Sequence, residues 1–127
     1  LATLHTPTAA GSVERIVSVF DGDSQAQVVS QLASCLQCVV AQRLIPTVDK
    51  SRRVLATEVL MATDAVRAMI RENRIHQLRN AVNGGRSVGM HSLEDSLANL
   101  YGSGLVPLDM APNHAPDQEL FRSLVRR

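Results

Sequence analysis

Apolar positions recur at helical spacing along most of this chain, and a proline and a pair of glycines divide it. In "TAAGSVERIVSVF", Val13, Ile16, Val17 and Phe20 fall at i, i+3, i+4 and i+7 and predict a short helix with one apolar face. Before it, "LATLHT" alternates like the end of a strand, which Pro7 stops because proline fixes φ and cannot donate to a ladder. Starting on Leu1 in mid-pattern, this stretch reads as part of an interrupted sheet excised from something longer. After "DGD", Asp23 or Ser24 can cap a second helix. There Val28, Val29, Leu32, Leu36, Val39, Val40 and Leu44 keep the period from Gln25 to Leu44, about five turns. That stripe predicts the main core helix.

Pro46 ends it. "LIPTV", "DKSR" and "RVLATEVLM" read as strand, polar turn and strand, a β-hairpin. In the second arm Leu55, Thr57, Val59 and Met61 face one way and Val54, Ala56, Glu58 and Leu60 the other, so both faces are partly covered and carry a single charge. Thr63 or Asp64 can cap "AVRAMIREN", with Val66, Met69 and Ile70 inward, and "IHQLRNAVN" stops at Gly84-Gly85. Ser92 to Asp95 forms a capping box for "LEDSLANLY", whose Leu93, Leu97 and Leu100 share a face that Gly102 or Gly104 ends. The tail holds two helical pieces divided by Pro112 and Pro116.

Only Phe20, Tyr101 and Phe121 are aromatic, so the core must be aliphatic, which favours helices over a sandwich. The length, 127 residues, suits one domain. Thirteen Lys and Arg against twelve Asp and Glu leave a charge of +1, too little basic excess for a nucleic-acid partner. No apolar run approaches the ~20 residues of a membrane span. Cys35 and Cys38, in "CLQC", lie inside the predicted core helix, and no second Cys or His pair completes four zinc ligands. They read as small buried or half-buried helix residues, with a redox pair as the other reading, and thiols without a disulfide framework suggest a cytoplasmic home. No metal site is expected, and His76, His91 and His114 read as structural or surface residues.

"LATLHT", "RIVSVF", "QAQVVSQLASCLQCVVAQRLIP", "RRVLATEVLMATDAVRAMIRENRIHQ" and "GMHSLEDSLANLYGSGLV" follow one another in an order that resembles the C-terminal half of the twitching-motility ATPases of the secretion-ATPase superfamily. The chain lacks the inserted four-cysteine module of the type II secretion branch, so the pilus-retraction branch fits better. The resemblance implies an α+β, mostly helical fold, the C-terminal portion of a RecA-like ATPase domain. Residues 1–62 would be the end of the RecA-like core and residues 63–127 a C-terminal helical subdomain. It also implies that His5 stands in the family's His box and reaches toward the nucleotide's terminal phosphate. "AVRAMIRE" matches the family's retraction motif, which makes Ala65, Val66, Arg67, Ile70, Arg71 and Glu72 candidate output residues.

The parent would be a cytoplasmic homo-hexamer that uses ATP and Mg²⁺ and works with pilus machinery at the inner membrane. No phosphate-loop pattern, G-x-x-x-x-G-K-[ST], occurs in these residues, so no nucleotide is expected to bind this stretch by itself. Asn73-Arg74 stands where relatives carry Gly-Lys. From spacing alone, Arg67 and Arg71 fall at i, i+4 opposite the apolar stripe, on a solvated face with Glu72 nearby. A different class remains open, a stand-alone helical adaptor that acts by binding protein.

Overall fold

The computed structural model describes residues 1–126. A single antiparallel hairpin forms its spine, β1 (Cys38–Pro46) against β2 (Arg53–Met61), in a register that pairs Cys38 with Met61 and Pro46 with Arg53. Helices α1 (Ala9–Ser18) and α2 (Gly22–Cys35) precede it. Helices α3 (Asp64–Arg71), α4 (Leu78–Gly84), α5 (Leu93–Gly102), α6 (Ala111–His114) and α7 (Gln118–Val125) follow, with short 3-10 turns on either side of α4. The chain is thus mostly helical with one small sheet, as expected.

Two apolar cores sit toward opposite ends of the hairpin. The first gathers Ala9, Val13, Ala33, Leu60, Val66, Ile70, Leu78, Val82 and Met90; the second gathers Ile45, Ala56, Leu93, Leu97, Val106, Ala111, Ala115 and Phe121. Successive inward positions of β2 connect them. Leu60 belongs to one core, Ala56 to the other, and between them Glu58 is 7% exposed. At roughly 1.5–3 kcal/mol for each fully buried aliphatic or aromatic side chain, these cores outweigh the local propensities of the short helices.

Two expectations fail, for related reasons. The predicted core helix from Gln25 to Leu44 is a helix only to Cys35, and residues 38–46 are strand. Val39, Val40 and Ile45 are β-branched and fit a strand as well as a helix. The ladder with β2 satisfies both backbones, and inward positions 39, 41, 43 and 45 then alternate with exposed Val40 and Leu44. The start of α2 also differs: Asp21 is the N-cap residue, ahead of Asp23 and Ser24. The second failure is the opening strand. Residues 1–6 have no regular structure, because a strand exists only within a ladder and no strand among the described residues pairs with them.

Local signals elsewhere hold. Thr8 caps α1 by accepting from the Gly11 amide, and Gln25 Nε2 donates to the carbonyls of Val17 and Phe20 where α1 ends. Ending at Ser18 leaves Phe20 39% exposed, off the apolar face expected for it. Ser92 and Asp95 complete the capping box of α5. Gly85, which caps α4, has no room for a side chain: a Cβ there would lie 2.7 Å from Met90 Sδ and 2.9 Å from the Ala81 carbonyl. Asn73 takes φ +55°, the left-handed conformation that glycine adopts freely and asparagine tolerates, so the chain turns after α3 without the glycine of the resembled family. Pro116 separates α6 from α7, whereas Pro112 lies in the first turn of α6, where its missing N–H costs nothing.

Candidate functional site

His5 lies on the exposed opening stretch, one residue before a set of anchors. Thr6 Oγ1 and Ser12 Oγ are 2.5 Å apart, Ser12 Oγ donates to the Thr8 carbonyl, and the Ala9 amide donates to Glu58 Oε1 at 2.6 Å. The backbone leaves α1 along a fixed path, and the imidazole at its end faces solvent.

Helix α3 is built more firmly. Thr63 Oγ1 accepts from the Val66 amide, Val66 and Ile70 are fully buried, and Met69 packs against the same core. The two arginines part company here. Arg67 Nη1 donates to the carbonyls of Ala33 at 2.6 Å and Ser34 at 2.9 Å, so its guanidinium closes the C-terminal end of α2. It is half-buried and holds two helices together, which corrects its assignment to a freely solvated face. Arg71 is exposed, as are Ala65 and Glu72, and Glu72 pairs with Arg74 at 2.5 Å. Among the described residues no hydrogen bond or ion pair joins His5 to α3.

"CLQC" straddles the end of α2 and the start of β1, and both thiols are exposed, contrary to the buried helix positions expected. Leu36 leaves the helix extended, with ψ 134°. His91 is structural: its Nε2 lies 2.9 Å from Thr57 Oγ1 and its backbone bridges Val59 of β2. Among the described residues no group of three or more His, Cys, Asp or Glu is placed to hold a metal ion, and no helix is long and apolar enough to cross a membrane.

A buried polar seam was not anticipated. Glu94 is 1% exposed, accepts from Arg79 Nη2 at 2.9 Å and from the Asp117 amide at 2.7 Å, and Arg79 also lies 3.6 Å from Asp117. Beside it, burial pushes the Glu58 carboxyl above its ordinary value; the Ala9 amide opposes this, Glu94 adds to it, and Arg79 and the Leu93 amide oppose it. The one signal for Glu58 was its charge in an apolar strand. Glu94 carried none, since its helix position resembles any first-turn acid.

With this geometry in hand, the likeness to known proteins becomes specific. The chain is 39% identical over 117 residues to a twitching motility protein of Neisseria gonorrhoeae, covering 92% of this chain and 31% of that protein. It is 38% identical over 119 residues to the type IV pilus retraction ATPase PilT of Pseudomonas aeruginosa, covering 94% and 34%. The chain is homologous to the PilT-type ATPases. The solved structure of the pilus retraction motor PilT with bound ADP superposes with a TM-score of 0.78 at 35% identity, over 91% of this chain and 32% of PilT. The match falls in the C-terminal part of the PilT ATPase domain. The chain therefore spans about a third of the length of the PilT-type relatives it matches. No protein-family model matches it.

Proposed function

We propose that this chain is the C-terminal segment of a hexameric cytoplasmic ATPase that powers type IV pilus retraction beside the inner membrane. The observation that carries this reading is the agreement of sequence and fold with PilT over nine-tenths of the chain. In it, residues 1–62 end the RecA-like core and residues 63–127 form the helical subdomain, although both apolar cores draw on each side of that boundary. ATP with Mg²⁺ binds on the remainder of the motor, and His5, exposed and free to reach outward, contacts the terminal phosphate. Helix α3 is the output element toward the pilus machinery. The paired apolar residues Leu44 and Leu55, 58% and 48% exposed, lie on the outward face of the hairpin with Val40, as suits a sheet that the rest of the core covers.

The test uses the whole gene product. It should hydrolyse ATP and support twitching, and His5→Ala should lower turnover more than nucleotide affinity, because the histidine acts where charge develops on the phosphate. Equal loss of both would make His5 a folding residue. A gene product that neither hydrolyses ATP nor supports twitching would return the chain to the adaptor reading.

A further inference from the structure

Glu58, on β2, meets the start of α1. Its carboxylate accepts the Ala9 amide at 2.6 Å. Ala9 is the first residue of α1. The first amides of a helix have no partner within it, and the helix dipole makes that end positive. Thr8 satisfies only the Gly11 amide, so the Ala9 amide depends on an acceptor from outside α1. Glu58 supplies it from β2, 49 residues away. An acid buried at this position has an apolar alternative: neighbouring inward residues Ala56 and Leu60 show what the strand otherwise carries, and burying a charge is seldom the most stable choice. What the carboxylate provides and an apolar side chain cannot is a fixed origin for the backbone that leads to His5.

We propose that Glu58 is a positioning residue for His5, holding the first amide of α1 so that residues 5–8 leave the fold in one direction. This rests on the nucleotide-facing reading of His5. The groups that face Glu58 are Glu94 from α5 and Arg79 from α4, with Asp117 beyond Arg79.

Nuclear magnetic resonance on the 127-residue chain tests it without nucleotide. In the unsubstituted protein the amide proton of Ala9 should titrate with the Glu58 side-chain carboxyl at a shared midpoint. Residues 6–8 should be as rigid as α1. Glu58→Gln keeps an acceptor oxygen and should keep that rigidity while abolishing the shared titration. Glu58→Met fills the space without an acceptor. It should speed Ala9 amide exchange about fivefold or more, the effect of one lost hydrogen bond, and loosen residues 5–8 while Val13 and Val17 stay protected. In the whole motor Glu58→Met should lower kcat without raising KM for ATP, and Glu58→Gln should restore it. An Ala9 amide that ignores the Glu58 titration, or residues 5–8 unchanged in a folded Glu58→Met protein, overturns the proposal. If Glu58→Met does not fold, the titration and Glu58→Gln decide the question. A His5→Ala motor with normal turnover would instead remove the nucleotide reading and leave the anchoring result standing.

Discussion

The two stretches that carry the candidate chemistry are built in opposite ways. Residues 1–6 have no regular structure, and His5 is placed by anchors that begin only at Thr6 and end on Glu58. Helix α3 has its own cap, two fully buried side chains and an arginine fastened to the helix before it. A residue held from one side can move toward a ligand, whereas a helix held on three sides moves only with its neighbours. This difference suits a sensor in the first stretch and a rigid lever in the second, and substitutions can separate them.

The largest effect should come from the lever's buried face. Ile70 is fully buried in the first core, and Ile70→Ala should lower unfolding stability by about 2–5 kcal/mol, read from urea denaturation. If the loss is no more than for a surface change, α3 does not pack as described. Arg67→Ala comes next. It removes a charged donor from the carbonyls of Ala33 and Ser34 and should cost about 1–2 kcal/mol, toward the low end for charged hydrogen bonds because Arg67 is only half-buried and Ser34 is exposed. The same substitution should loosen the end of α2, visible as faster exchange at Cys35 and Leu36, whose amides bond back into that helix.

Much of α3 and of the helices after it was legible because their signals are local. A threonine before the stripe, apolar residues at helical spacing, a serine and an acid three apart and a glycine pair all act within one or two turns. The contacts that hold the candidate residues are not local. Arg67 meets carbonyls 33 and 34 residues away, and Glu58 meets an amide 49 residues away. The misread helix has the same origin. Leu36, Val39, Val40 and Leu44 continue the helical period of α2 by coincidence, and only the pairing of residues 38–46 with 53–61 reveals the strand. His5 entered through resemblance, since nothing in its own spacing distinguishes it from a surface histidine.

A change of pH should act on the first stretch and spare the second. Burial raises the Glu58 carboxyl above its unfolded value of 4.5, so the folded state binds its proton more tightly than the unfolded chain does. Its contribution to stability is therefore greatest below 4.5 and is lost as pH rises through the raised folded value. In Glu58→Gln that slope should vanish above 4.5, measured as the difference between the two proteins' unfolding midpoints across pH. Beyond that change in global stability, which core amides share, local exchange at Ala9 should follow the Glu58 titration and local exchange at Val66 and Ile70 should not. If both stretches respond together, the seam at Glu58 controls the whole fold and the contrast between sensor and lever breaks down.

The smallest effect on stability should accompany the largest effect on function. Arg71 is exposed on α3 and, among the described residues, makes no hydrogen bond or ion pair, so Arg71→Ala should change stability by no more than about 0.5 kcal/mol. Arg67 cannot serve this purpose, because its loss would mix a loosened α2 with any lost docking. If α3 is the output element, the free guanidinium of Arg71 is the group left to meet a partner's carboxylates, for which its planar fork of donors is suited. Arg71→Ala in the whole motor should then hydrolyse ATP normally and fail to retract pili, scored as hydrolysis by purified protein beside twitching by cells. Normal retraction would mean that the outer side of α3 is merely solvated. Loss of both activities would mean that this side of the helix contacts the nucleotide-binding part of the motor, and that α3 belongs with His5 on the catalytic side instead of opposite it.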